Sequence, residues 1–225
     1  MGVSWIFPIP ELANRPGPQA IGELERHLEH LGAQRSGQFF VDSEPYYPKQ
    51  ELNLKTIHLC HASDYPNTTF ALVAENPGGA PSIVADTMFD QLMAKLSNVY
   101  NTRPQAKIEC RGPKYALGDF LVKIGAVTIG ASFKGVLVEV EYGPCHLPLL
   151  CNDLMKEFCD GLLTSVGSGV GVVPSNFASS PPNYVQNHFK PGQSFRPIDM
   201  INQYMDLFHQ YRRSVTGGLG GGVRP

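Results

Sequence analysis

The chain has 225 residues, enough for one sizeable core, and only 17% of them are charged, against an ordinary share of about 25%. Twenty acidic and 18 basic side chains leave a formal charge of −2, so no overall field draws the chain onto nucleic acid or an anionic membrane. The 23 glycines and 19 prolines exclude a coiled coil or a long-helical rod.

After Pro16 and Pro18, the residues Ile21, Leu24, Leu28 and Leu31 recur at helical spacing opposite Glu23, Glu25, Arg26 and Glu29. This predicts a helix with one buried stripe, ended by Gly32. Short segments rich in β-branched and aromatic residues follow: QFFVD, KTIHLCHA, TTFALVAEN and SIVADT. Their connections are too short for helical crossovers, so antiparallel strands are expected. In DTMFDQLMAKLSNVY, Thr87 and Asp90 form a capping-box-like pair, and Phe89, Leu92, Leu96 and Val99 mark one helix face. Three further strands are predicted in AKIECRG, GDFLVKIGAVTIGA and GVLVEVEYG. In the last, Val136, Val138 and Val140 point one way while Leu137, Glu139 and Glu141 point the other. Leu150, Leu154, Phe158 and Leu162 mark another helix. Ile201, Tyr204, Phe208 and Tyr211 mark a final one, opened by Pro197 and Asp199 and closed by Arg212 and Arg213 in agreement with the helix dipole.

The fold class is therefore α+β, an antiparallel, β-barrel-like curved sheet flanked by about four helices. Residues 1–215 are expected to form a single domain, and the Gly-rich tail 216–225 to be disordered. No Asp, Glu, Lys or Arg occurs from Gly161 to Phe189, and the connection at about 167–196 far exceeds the usual ~4–6 residues. Phe177, Tyr184 and Phe189 stand in it among Ser, Asn, Gly and Pro, as candidate partner-binding residues; a disordered insertion is the equal alternative. Five cysteines, an odd number spread over strand and helix segments, fit free thiols in a reducing compartment. No apolar run approaches the ~18 residues of a membrane span, and no basic region precedes the short WIF stretch, so a soluble chain without a secretory signal is expected.

Few motifs carry chemistry. His58, Cys60 and His61, with Cys145 and His146 from a distant turn, are the most tempting metal cluster. Their spacing is wrong for zinc, however, and a strand sends His58 and His61 to opposite faces. Gly167, Gly169 and Gly171 follow a helix and precede Pro174, which does not fit a dinucleotide loop. Glu139 and Glu141 share a strand face, and inside a barrel such a pair can hold a divalent cation against a polyphosphate, as in tunnel-type triphosphatases. That motif continues to a basic residue two positions on, where this chain has Gly143. The favoured reading is a polar face on which the two glutamates meet Lys or Arg of neighbouring strands. A metal-dependent phosphohydrolase is the alternative.

The start MGV, the stretch IVADTMFDQLMAKL, the block KIECRGPKYALGDFLVKIGAVTIG, then GVLVEVEYGPC and QYMDLF together resemble the subunit 20 family of the Mediator of RNA polymerase II transcription. The likeness covers the N-terminus, most of residues 83–145 and the last helix. It does not extend to Pro45–Leu54 or to residues near 165–196. The resemblance implies a nuclear, non-enzymatic coactivator subunit of the Mediator head module, with a β-barrel-like fold and no cofactor or metal. It further implies a heterodimer with the related subunit 18, a tether through subunit 8, and signals relayed to RNA polymerase II and general factors, including the TATA-box-binding protein. No contact with nucleic acid or membrane is expected, and the family supplies no catalytic residues.

Overall fold

The computed structural model describes residues 2–9, 17–49, 54–73, 81–167 and 180–217. Among these residues nine strands form one antiparallel sheet. In chain order they are β1 (Val3–Ile9), β2 (Gln34–Pro48), β3 (Ile57–Ala62), β4 (Thr68–Val73), β5 (Ser82–Asp86), β6 (Tyr100–Thr102), β7 (Ile108–Leu117), β8 (Phe120–Ile129) and β9 (Ser132–Tyr142). The helices are α1 (Gly17–His30), α2 (Met88–Lys95), α3 (Pro148–Gly167), α4 (Asn183–His188) and α5 (Pro197–Gly217). Strand order is β1-β9-β8-β7-β2-β3-β4-β5, with β6 also on β2. Every pairing is antiparallel, as the short connections require. The turn between β7 and β8 has only two residues, and Gly118 takes the left-handed backbone it needs at φ +58.

The sheet curls around α5 without closing: among the described residues β1 and β5 end the strand order and do not pair. Three consecutive residues of α5 show the curl. Gln203 bonds to β1, the Tyr204 hydroxyl reaches Glu139 on β9, and the Met205 sulfur lies 3.5 Å from Cys60 on β3. Successive helical side chains diverge by about 100°, so one helix meets strands from separated places in the order only where the sheet wraps around it. The pleat then sends Val122 and Ile124 of β8 and Val136, Val138 and Val140 of β9 to the opposite face, where α1 packs. Both faces of β8 and β9 are thereby covered, which is why their central residues are buried almost without alternation.

Several helices differ in detail from the sequence reading. α1 buries Leu24 and Leu28 as predicted, and Gly32 ends it at φ +84, while Leu31 lies beyond the last turn and is exposed. α2 is shorter than expected. Thr87 makes no side-chain cap; the Met88 amide donates to Asp86 instead, and Asp90 turns to the sheet. The chain then enters β6 at Tyr100, so Val99 is not helical, and Met93 rather than Leu92 is the buried residue. On α3, Leu162 is buried as predicted and Phe158 packs on the core against Phe120, but the first turns are displaced by one residue: Cys151 and Met155 are buried, with Cys159 beyond them, whereas Leu150 and Leu154 face outward. α5 buries Ile201, Tyr204 and Phe208 as predicted.

Candidate functional site

The residues singled out as possible chemistry, Glu139 and Glu141, lie at the centre of the concave face. Register places Lys123 of β8 directly opposite Glu139 of β9, so the two side chains share that face. The Lys123 ammonium lies 2.8 Å from Glu139 Oε1, 2.6 Å from Asp64 Oδ2 and 3.8 Å from Glu141 Oε2. Both Lys123 and Glu139 are 1% exposed. Burial alone lowers the pKa of a lysine, but Glu139 and Asp64 outweigh it and hold Lys123 above its ordinary range, fully charged. Asp64 is kept below the usual carboxylate range by Lys123 and Lys114, against the opposing effect of its own burial.

The rest of the cluster satisfies the remaining lone pairs. Ser4 Oγ donates to Glu139 Oε1 at 3.0 Å, and the Tyr204 hydroxyl donates to Oε2 at 2.7 Å. Gly2 N donates to Glu141 Oε1 at 2.9 Å, and Lys114 Nζ donates to the second oxygen of Asp64 at 3.0 Å. Four strands or turns and α5 are thus tied to one buried ammonium. Chemically, the arrangement is a closed ion cluster: Lys123 occupies the face that a divalent cation would need, and both Glu139 oxygens are already bonded. The glutamates do meet a lysine of the neighbouring strand, but in the interior and not on a polar surface.

Two further polar clamps join the helices to the sheet. Arg212 of α5 reaches the Ser43 carbonyl at 3.1 Å and His58 Nδ1 at 3.2 Å. Burial, together with Arg212 and His209, pushes the His58 pKa down to about 3, so this imidazole is neutral. His61 faces the other way, as the strand period predicts. Its Nδ1 lies 2.9 Å from Asp42 and its Nε2 3.2 Å from Asp90 of α2, and these carboxylates, Asp42 first, raise its pKa despite partial burial. Cys60 is buried between the two histidines in sequence, with its thiol pKa pushed up to about 12 by desolvation. All five cysteines are free. Cys145 bonds within its own turn to Leu147, and among the described residues no group of three or more His, Cys, Asp or Glu is arranged to hold a metal.

The uncharged segment contains α4, which the sequence reading lacked. Tyr184 and Phe189 are buried in the main core, and Tyr184 donates to Asp199 at 3.0 Å. Phe189 stacks on Phe195. As placed here, these two rings hold the segment against α5 and are not presented on a free surface. Phe177 lies outside the described residues, as do residues 218–225 of the Gly-rich tail. Beside α4, a cleft of about 490 Å³ opens between β1 and α5, lined by Phe7, Pro8, His188, Asp206 and Gln210 among others. His188 Nδ1 is engaged by the Tyr184 carbonyl at 2.9 Å and its ring stacks on Tyr184, so it is not set up as a base beside a nucleophile.

The sequence singles out Glu139 and Glu141 and predicts Lys or Arg partners on neighbouring strands, but not the burial of the Lys123 and Glu139 pair or its links to Asp64, Ser4 and Tyr204. The local hints were the charges inside two apolar runs, Lys123 in LVKIGAV and the pair Glu139 and Glu141 in VLVEVEY. No described helix is long and apolar enough to cross a membrane.

A family model described as the TATA-binding related factor (TRF) of subunit 20 of the Mediator complex matches residues 1–209. The chain is 41% identical over 218 residues to Mediator of RNA polymerase II transcription subunit 20 of Aedes aegypti, covering 96% of this chain and 97% of that protein. It is 38% identical over 226 residues to the subunit 20 of Anopheles gambiae, covering the whole of both. Among solved structures it is similar to a chain of the Schizosaccharomyces pombe Mediator head module, at 14% identity and a TM-score of 0.32, covering 73% of this chain and 92% of that one. With a family match spanning nearly the whole chain, and Lys123 filling the space between carboxylates that a phosphohydrolase would use for its metal, the enzymatic alternative is withdrawn: the chain belongs to the Mediator subunit 20 family.

Proposed function

We propose that this protein is a non-catalytic scaffold subunit of the Mediator head module, pairing with subunit 18 in the nucleus and tethered through subunit 8. In that setting it helps relay regulatory signals to RNA polymerase II and to general factors, including the TATA-box-binding protein. The observation that carries the reading is the family match over residues 1–209. The interior agrees in kind: the Lys123 cluster, the Arg212 contacts and the His61 clamp hold helices to the sheet, which suits a body that presents surfaces to neighbours. An obligate pair of this sort needs about 2,000 Å² or more of buried surface.

Co-expression of the full chain with subunit 18, followed by size-exclusion chromatography, tests the pairing. One stoichiometric peak containing both chains is expected. A chain that elutes as a monomer, apart from subunit 18, would sink the heterodimer.

We also propose that the segment at about 167–196 contributes to a partner contact. Phe177 is the residue for that contact, with Tyr184 and Phe189 fixing the segment's C-terminal part to α5.

A further inference from the structure

The two strands that end the main path of the sheet, β1 and β5, are treated differently. Along β1, the Gln203 side chain imitates a neighbouring strand: its Nε2 donates to the Ser4 carbonyl at 2.9 Å and its Oε1 accepts from the Ile6 amide at 3.3 Å. The residue two positions on is Pro8, which has no N–H to leave unpaired. This edge is blocked. Along β5, the described residues provide no partner beyond β4. An edge strand of this kind presents outward-facing N–H and C=O groups at every second residue. Its apolar side chains are bare too: Ile83 is 55% and Val84 57% exposed, and as consecutive strand residues they lie on opposite faces. Met88 and Leu92 of α2 add 60% and 49% exposed side chains next to it.

Folded proteins protect open edges with short length, charge, proline or a cover, and here only Asp86, at the very end of β5, is charged. We infer that the outer edge of β5 is a docking site for an extended segment of another Mediator subunit, added to the sheet as a tenth strand. An extended backbone is the group that satisfies an unpaired ladder, whereas a docked helix has its own backbone bonds made internally. Because Ile83 and Val84 face opposite sides, the added strand carries apolar side chains on both of its faces. Opposite Asp86, whose carboxylate already accepts from the Met88 amide through one oxygen, it carries Lys or Arg, the favourable cross-strand partner of a carboxylate at the strand end. The site does not depend on which subunit supplies the strand, so it stands apart from the pairing with subunit 18.

Amide hydrogen exchange of the full chain, alone and within purified Mediator, tests it. In the isolated chain, alternate amides from Ser82 to Asp86 should exchange quickly, the others being held by β4. In the complex the fast set should slow by about tenfold or more. The variant Ile83→Lys with Val84→Lys should keep the melting temperature of the parent and lose that slowing. If it does not fold, the exchange comparison on the parent chain decides alone. Equal exchange of β5 in the free and assembled chain overturns the inference, even where subunit 18 co-purifies. So does slowing that survives in the folded double variant, or a β5-dependent homodimer of the isolated chain by light scattering, which would make a second copy the occupant.

Discussion

Lys123 on β8 and Glu139 on β9 meet across one register position at 2.8 Å, both shut off from solvent. A buried pair of this kind adds little net stability over a well-packed apolar pair, yet removing one partner strands the other charge. Lys123→Met is therefore expected to destabilise the fold by about 3–5 kcal/mol, a large part of the ~5–15 kcal/mol typical of a domain. Adding Glu139→Gln in the same chain should cost less than the two single changes summed, because each already removes the shared interaction. Denaturant unfolding of the four proteins of this cycle measures the coupling.

The His61 clamp gives a pH dependence with a definite sign. Asp42 and Asp90 raise the folded-state pKa of His61 above its ordinary 6.5. Its contribution is thus fully present below about pH 6.5 and is lost as pH rises through the folded-state value. Buried His58 works in the opposite direction, since its lowered pKa penalises the fold as pH falls from 6.5 toward about 3. The two effects separate by difference: the melting temperature of the parent minus that of His61→Gln should be larger at pH 6 than at pH 9.

The displaced stripe of α3 predicts unequal effects of neighbouring substitutions. Met155 is wholly buried, so Met155→Ala should cost about 2–5 kcal/mol. Leu150 is 77% exposed, so Leu150→Ala should fall within about 0.5 kcal/mol of the parent. Thermal unfolding distinguishes this register from the one that puts Leu150 and Leu154 inside.

In the uncharged segment, the burial of Tyr184 and Phe189 separates folding from binding. Phe189→Ser should destabilise the monomer by about 3–5 kcal/mol through the cavity it leaves against Phe195 and α5. Phe177→Ser should leave the melting temperature unchanged and weaken complex formation with subunit 18. Calorimetry on the isolated chain and a pull-down on the pair read the two effects.

Local chemistry made much of the architecture legible. Gly32 stops α1, the alternation in GVLVEVEYG marks β9, and Ile201, Tyr204 and Phe208 set the inward face of α5. Where the reading slipped, two patterns were nearly degenerate. Cys151 and Met155 are as well spaced as Leu150 and Leu154, and only the position of the sheet chooses between them. α2 looked longer because Leu96 and Val99 continue its period, but the pairing of β6 with β2 takes the chain away. Of the ion cluster, the shared face of Glu139 and Glu141 and a basic partner on a neighbouring strand were legible; its burial and membership were not, since they depend on the register of β8 against β9 and on Tyr204 arriving from 65 residues away. Likewise, nothing local to Gln203 says that its amide completes the edge of β1.

Membership of the family leaves the assembly itself as the central claim. Affinity purification of the tagged full chain from nuclear extract, with the bound chains identified by mass spectrometry, tests it most directly. Stoichiometric recovery of Mediator subunits including 18 and 8 is the predicted result; a chain that emerges alone, with no Mediator subunit bound, contradicts the account.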